Sequence, residues 1–277
     1  MAALRYFFSL LMVPISLIAA GFSLIAYMAG QTNPNESIFI TFIGLAMPVI
    51  LTINLLILIY WIIKKKWWII IPIAAILLNS GYLASIFQVT ISSSKLPDGK
   101  IPIRIASYNA GKFKSWEHFE TQYYISEFLK NDKANIICFQ EYRENTKINA
   151  DTLSRLLNCP HHAIAYLPGS TTLGTGIFSK YPILQFGKIP LASQTNDAMW
   201  VDIQTGETRI RIISCHLQTT NFSKKRRLLD DPVLQNADIQ QVEDVVTDIS
   251  QELAQNFKIR ATQAQIVRQV IDTTRIP

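Results

Sequence analysis

The sequence predicts a membrane protein in two parts: an N-terminal region of three transmembrane helices and a C-terminal α/β domain. Three observations predict this fold class. The 277 residues are 49% hydrophobic with a mean hydropathy of +0.20, and the apolar excess lies before residue 91. That first part holds only four basic residues and one acidic residue. The remainder carries nearly all the charge and has both strand-type and helix-type patterns. We therefore assign residues 1–90 to a transmembrane anchor, 91–100 to a linker and 101–277 to one globular domain.

Three apolar runs form the predicted anchor, and each is long enough to cross a hydrocarbon core of about 30 Å. They are Phe7–Ala29, Ile38–Ile63 and Trp67–Phe87. A secretory signal peptide has a shorter apolar core and is not followed by two further spans. The spans contain Asn54 and Asn79 but no charged residue, so an anchor is favoured over a transporter.

Basic residues predict the orientation of these helices. Lys64, Lys65 and Lys66 follow the second span, whereas the loop after the first span has no basic residue. Since basic loops face the cytoplasm, three crossings place the C-terminal domain on the other side. The predicted location is therefore the inner (cytoplasmic) membrane, multi-pass, with the lipid bilayer as partner and the C-terminal domain extracytoplasmic.

Polar side chains follow the first two strands predicted in the globular part. A strand over Ile101–Tyr108 ends at Asn109, a helix follows over Trp116–Lys130, and a strand buried on both faces begins at Ile136. Glu141 lies just beyond that buried strand, at its mouth. An exposed Glu and a turn-forming Asn are the ordinary interpretations. The alternative is a carboxylate held on a rigid strand end as an oxygen ligand for a hard cation such as Mg²⁺.

The rest of the domain alternates between helix and strand patterns. These predict a helix over Asp151–Leu157, a strand over Ala163–Leu167, two strands within Gly174–Ile183, a hairpin of Ala198–Ile203 with Thr208–His216, and two helices within Val233–Ile271 broken near Asn256. Gly174 and Gly176 allow a close backbone approach, although a GxG pattern alone is weak. His216 ends a buried run, where it is either a hydrogen-bonded core residue or an imidazole aimed at a phosphate oxygen.

Charge and cysteine usage set further bounds. The net charge of +6 divides equally between the two parts, so the domain is only mildly basic and carries no nucleic-acid footprint of its own. The run Lys224–Arg227 is basic. It is either a solvated face or a surface for a phosphate-rich substrate or lipid headgroups. Three cysteines without CxxC spacing argue against a zinc site or a disulfide framework.

Four motifs, in this order and at strand ends, together resemble the endonuclease/exonuclease/phosphatase superfamily, which has the DNase-I-like fold. They are Ser107-Tyr108-Asn109, Ile137-Cys138-Phe139-Gln140-Glu141, Gly176-Ile177-Phe178-Ser179-Lys180-Tyr181-Pro182-Ile183 and Ser214-Cys215-His216-Leu217. The resemblance covers residues 101–277, and the three-helix head is similar to that of membrane-anchored bacterial members.

The resemblance implies a four-layer α/β sandwich that cleaves phosphoester bonds with Mg²⁺, or alternatively Mn²⁺. Glu141 matches the metal-binding Glu of the superfamily. Asn109 matches the Asn beside the metal, so it counts as both a metal ligand and a catalytic residue. His216 matches the catalytic His that contacts the phosphate. The substrate class stays open among nucleic acids, phospholipids and nucleotides.

The sequence departs from the superfamily pattern in its last part. The pattern continues with Gly-Asp-x-Asn and ends with Ser-Asp-His, and neither motif occurs in the 277 residues. We therefore expect the domain to be incomplete at its C-terminus and to have little activity as it stands. The alternative is a non-catalytic membrane protein that keeps a phosphate- or lipid-binding remnant of the fold.

Overall fold

A computed structural model describes residues 2–87, 102–114, 121–145, 148–220 and 239–277. The chain divides into two compact units, Met1–Lys95 and Leu96–Pro277, which are described separately. The predicted linker and the basic run Lys224–Arg227 lie outside the described residues.

The first unit is helical. Its helices are α1 (Ala2–Ala29), α2 (Ile38–Leu45), α3 (Met47–Lys64), α4 (Ile70–Leu78) and α5 (Ser80–Ile86), with a 3₁₀ turn over Trp67–Ile69. Two stretches, Ser9–Ala29 within α1 and Met47–Lys64, are long and apolar enough to cross a membrane, and a third crossing requires α4 and α5 to form one span bent by 56°. The second predicted span divides at Ala46. The reason is Pro48, which lacks an N–H and would clash with the preceding turn of a continuous helix.

Buried amides join the helices of this unit. The Asn54 side chain on α3 donates a hydrogen bond to Ser23 Oγ on α1 at 3.0 Å. The Asn79 side chain, between α4 and α5, donates to the backbone oxygen of the same serine at 3.3 Å. Both asparagines are almost fully buried. Because apolar helices gain little hydrophobic energy from one another in lipid, such interhelical hydrogen bonds help to specify their packing.

The described part of the second unit contains two sheets. Sheet 1 consists of β1 (Ile105–Asn109), β2 (Ile136–Arg143), β3 (His161–Tyr166) and β4 (Leu173–Ser179) in the order β1-β2-β4-β3, with only β1 and β2 parallel. Sheet 2 is the antiparallel series β5 (Ile183–Ile189), β6 (Asp197–Thr205) and β7 (Thr208–His216). The helices described in this unit are α6 (Gln122–Asn131), α7 (Ala150–Leu157) and α8 (Ile239–Thr273).

The sheets pack face to face, with helices on their outer faces. Alternate residues of β2 point to opposite sides. Ile136 packs with Met199 of β6 in the core between the sheets, whereas Ile137 packs with Leu153 of α7 on the other side. Helix α8 covers the outer face of sheet 2, where Val267 joins a separate core cluster. The order is therefore helix, sheet, sheet, helix, and β2 is buried on both faces as its apolar run predicts.

One helix prediction for this unit is wrong. Helix α8 is continuous through Asn256 and not two helices broken there. Asn256 is buried, and its Oδ1 accepts a hydrogen bond from Gln218 Nε2 at 3.0 Å, so a tertiary contact accounts for the polar residue. Strand β3 packs closely against Gly174, since a Cβ added to this glycine would lie 2.0 Å from the backbone oxygen of Ala165.

Candidate active site

A β-bulge in β2 places Glu141. The pairing of β2 with β4 stops at Phe139 opposite Gly176 and resumes at Tyr142 opposite Gly174. Two residues of β2 therefore oppose one residue of β4. Glu141 has a φ of +48°, a left-handed conformation that costs a non-glycine residue roughly 1–2 kcal/mol. The sequence places Glu141 at the mouth of this strand, and β2 continues two residues further, to Arg143. Bulges re-aim side chains, and this one directs the carboxylate into a cleft.

Asn109, the last residue of β1, orients that carboxylate. Its Nδ2 donates to Glu141 Oε1 at 3.1 Å, and its Oδ1 accepts from the backbone N–H of Gly111 at 2.9 Å. The two bonds define which side of the Asn109 amide faces Glu141. In the turn after Asn109, Lys112 has a positive φ and lines the cleft. Burial of the neighbouring Phe113 side chain offsets the free-energy cost of this backbone conformation.

His216, the last residue of β7, approaches the same carboxylate from sheet 2. Its Nε2 lies 3.5 Å from Glu141 Oε1, and the two side chains are 21% and 31% exposed. This distance is long for a hydrogen bond but suits an ion pair when the imidazole is protonated. The structure thus brings together the three site residues that the sequence predicts, one each from β1, β2 and β7.

Gln140 connects the two sheets beneath these residues. Its Nε2 donates to Ser107 Oγ of β1 at 3.2 Å and to Ser214 Oγ of β7 at 2.9 Å. The second bond crosses from sheet 1 to sheet 2, two residues before His216. We therefore identify Gln140 as a positioning residue. Sequence analysis gave it no role of its own, although a polar residue at the end of a buried run was the available signal.

Asp197 is a second carboxylate at the site that sequence analysis missed. It begins β6 and pairs in register with His216 of β7. Its Oδ1 accepts from Thr175 Oγ1 at 2.8 Å, whereas Oδ2 is buried without a hydrogen-bond partner. Burial raises the pKa of Asp197, although the bond from Thr175 and the charge of His216 oppose the shift. An Asp in a polar turn gives no signal of this placement.

Two adjoining clefts meet at Asn109 and His216, which line both of them. One has a volume of about 340 Å³ and is lined on its polar side by Lys112, Glu141 and Asp197. The other has a volume of about 440 Å³, and among the described residues Arg260 of α8 is the only Lys, Arg, Asp or Glu that lines it. The first cleft can therefore hold a cation, whereas the second favours an anion.

The donor set fits a hydrated Mg²⁺ or Mn²⁺. No group of three His, Cys, Asp or Glu side chains able to enclose a metal occurs within the described ranges. Mg²⁺ does not need such a cage, since it keeps several waters and binds proteins through one or two carboxylates. Within the described part of the chain, Glu141 Oε2 accepts no hydrogen bond. One partly exposed carboxylate oxygen and the neighbouring amide of Asn109 are thus available as ligands.

Comparison with known proteins found one family and several solved structures that are similar to parts of this chain. Residues 7–86 match a family described as a domain of unknown function, DUF8431. No curated protein matches the chain. Among solved structures, an endonuclease/exonuclease/phosphatase family protein from Leptotrichia buccalis is similar at 13% identity and a TM-score of 0.35, covering 43% of this chain and 57% of that one. One from Beutenbergia cavernae has 11% identity and a TM-score of 0.35, covering 42% and 38%. Sphingomyelinase C from Streptomyces griseocarneus has 16% identity and a TM-score of 0.32, covering 43% and 50%. The chain spans about half the length of the solved structures it matches.

Proposed function

We propose that the α/β unit is a Mg²⁺-dependent phosphoester hydrolase domain, with Mn²⁺ as an alternative metal, carried on a membrane anchor. The convergence of Asn109 and His216 on Glu141, from three strands of both sheets, carries this proposal. A carboxylate held at a strained bulge beside an imidazole and an amide combines a metal ligand with donors for a phosphoryl oxygen.

Each side chain has a distinct task. Glu141 would hold the cation, and Asn109 keeps Glu141 in orientation and would offer its own amide oxygen as a further ligand. A bound Mg²⁺ would polarise a phosphoryl oxygen and neutralise charge that develops on it. His216 donates a hydrogen bond from Nε2 to the phosphate, which takes the place of its contact with Glu141. Gln140 keeps β7 at the correct distance from β2.

A substitution at Glu141 tests the metal site directly. Because Glu141 is 31% exposed, we use the dielectric constant of water. The Coulomb attraction between a divalent cation and a carboxylate about 3 Å away is then about 2.8 kcal/mol. Glu141→Gln should therefore weaken Mn²⁺ binding by about 100-fold. The exposed Glu207, in the β6–β7 turn, supplies the matched control Glu207→Gln, which should stay within about twofold of the wild type.

The measurement is Mn²⁺ titration by electron paramagnetic resonance on the 277-residue protein in detergent micelles, with hydrolysis of bis(p-nitrophenyl) phosphate as a second readout. Since the sequence holds neither Gly-Asp-x-Asn nor Ser-Asp-His, we expect slow hydrolysis, and binding is the sharper readout. Equal Mn²⁺ affinity in Glu141→Gln and the wild type would refute the assignment.

The second candidate is a non-catalytic module that binds phosphate or lipid headgroups. The cleft beside Arg260, which has no acidic lining among the described residues, favours this function. Inorganic phosphate should then bind with the same affinity in the presence of Mg²⁺ and of a chelator. The hydrolase proposal instead expects Mg²⁺ to strengthen phosphate binding, so phosphate titrations under both conditions separate the two.

The proposed location is the inner membrane, with the α/β unit outside the cytoplasm. The basic run Lys64–Lys66 at the end of α3 supports this orientation. An alkaline phosphatase reporter fused after Lys100 should be active, since it folds only outside the cytoplasm. Activity of a cytoplasmic reporter at the same junction would reverse the orientation.

A further inference from the structure

We infer that Arg260 forms a subsite for a second anionic group of the substrate, a phosphate close to the one that is cleaved. This inference rests on the proposed function. Arg260 lines the cleft of about 440 Å³ that adjoins Asn109 and His216. Its guanidinium forms no ion pair with any side chain that the structure describes.

Helix α8 holds Arg260 at a fixed place beside the end of β7. Asn256 and Gln263 lie about one turn to either side of it on the same helix face. Asn256 Oδ1 accepts from Gln218 Nε2 at 3.0 Å, and Gln263 Oε1 accepts from the backbone N–H of Gln218 at 2.7 Å. Gln218 follows His216 by two residues. The backbone position of Arg260 relative to His216 is therefore set by helix packing, and its exposed side chain lines the cleft.

The face of α8 around Arg260 is rich in hydrogen-bond donors. Asn256 and Gln263 are 6% and 2% exposed, and each leaves its amide nitrogen buried without an acceptor. Unpaired buried donors are costly, so nearby negative charge would be favourable. These buried N–H groups do not line the cleft, so contact with a ligand there falls to the guanidinium of Arg260. Charge-assisted bonds from a guanidinium are stronger than bonds between neutral groups, and its planar shape fits phosphate oxygens well.

The other cleft is less suited to a second phosphate. Two carboxylates, Glu141 and Asp197, line it against the single cationic side chain of Lys112 among the described residues, and the proposed Mg²⁺ would occupy its Glu141 side. Because Asn109 and His216 line both clefts, they mark the place of the cleaved phosphate, and a neighbouring phosphate then lies on the Arg260 side. The substrate class is a phosphoester whose alcohol bears another phosphate, such as an adjoining nucleotide or a phosphorylated polyol. An uncharged alcohol would gain nothing from Arg260.

The test compares probes with one and two phosphates. Propyl phosphate and propane-1,3-diyl bisphosphate are titrated calorimetrically into the 277-residue protein in micelles with Mg²⁺. The wild type should bind the bisphosphate on the order of tenfold more tightly. Arg260→Gln should remove this preference while the affinity for propyl phosphate stays within about twofold, which also shows that the site remains folded.

A control on the same helix is Arg268→Gln. The Arg268 side chain is 80% exposed and pairs with Asp272 at 3.5 Å, so its loss removes the same charge at little structural cost. It should keep the full preference for the bisphosphate. If Arg260→Gln and Arg268→Gln reduce the preference for the bisphosphate equally, the effect comes from the overall positive charge of α8 and the subsite is overturned.

The failures of the two proposals are distinguishable. If the wild type binds neither probe, the phosphate site of the proposed function fails and the subsite fails with it. If propyl phosphate binds but the bisphosphate binds no more tightly, only the subsite fails. The 5′-phosphorylated dinucleotide pTpT shows whether the second phosphate belongs to a nucleic-acid strand or to a small polyol. A dependence on Arg260 for pTpT alone supports a subsite for a nucleic-acid strand, and a dependence for the bisphosphate alone supports one for a small polyol.

Discussion

Replacement of Gln140 by Met tests whether the two sheets are held in register beneath the site. Methionine has nearly the same shape as glutamine but removes the hydrogen bonds to Ser107 and Ser214. The bond to Ser214 carries most of the effect, because Ser214 is 4% exposed and Gln140 is 9% exposed. Ser107 is exposed, so water replaces its lost partner.

The expected loss of stability follows from these environments. The exposed bond is worth about 0.5 kcal/mol and the buried one about 1.5 kcal/mol, so Gln140→Met should cost about 2 kcal/mol. Ser214→Ala alone should cost about 1.5 kcal/mol. If the bond exists as described, both single variants lose it, so the double variant should cost about 1.5 kcal/mol less than the sum of the two.

Hydrogen exchange of the β7 backbone amides in the full chain measures this cost as a local opening free energy. Propyl phosphate affinity should fall several-fold in Gln140→Met, because His216 loses its fixed distance from Glu141, while Mn²⁺ affinity stays within about twofold. Strict additivity in the double variant, or unchanged protection of β7, would contradict the reasoning.

Four further predictions follow from single environments. The fully buried Asp202 accepts bonds from two arginines of β7. Burial alone would raise the pKa of Asp202, but the two guanidinium groups together lower it. Its contribution to stability is therefore present above its ordinary value near 4 and lost as pH falls through the lowered pKa. Asp202→Asn should cost about 3 kcal/mol at pH 7 in urea unfolding and abolish that acid dependence. Asp197 has a raised pKa, so its contribution is lost as pH rises through that value. Asp197→Asn should therefore raise the urea midpoint at pH 7. An unchanged midpoint would contradict the burial of an unpaired carboxylate oxygen at Asp197. Burial raises the pKa of the Cys138 thiol to about 12, so iodoacetamide at pH 8 should label it only after unfolding, as seen by mass spectrometry. Ser23→Ala removes the bond from Asn54 and should cost about 0.6 kcal/mol in SDS-driven unfolding of the helical unit, whereas the exposed Ser85→Ala should not.

Local patterns were sufficient for much of the fold. The apolar run from Ile136 and the run that ends at His216 predict β2 and β7, and the structure contains both. Polar residues at the ends of these runs were visible because a buried strand has no place for a charge. Helix boundaries could not be predicted where a tertiary contact replaces a local signal. Asn256 predicts a helix break by its polarity, but in the structure it lies within α8 and bonds to Gln218.

The division of the apolar runs shows a similar limit. Composition predicts spans of sufficient length, but the break at Ala46 follows from the proline ring at Pro48, and the bend at Asn79 follows from packing against Ser23. Hydropathy averages over about 20 residues and therefore does not register either feature.

By itself the sequence determined that an apolar N-terminal region precedes an α/β domain, and that Asn109, Glu141 and His216 lie at or near strand ends. Only the tertiary structure decided that the three side chains meet, that a bulge turns Glu141 toward the cleft and that Arg260 lies beside His216. The physical reason is that strand and helix patterns depend on neighbours a few residues apart. Which strands become adjacent, and what α8 contacts, depends on burying apolar faces that are distant in the chain.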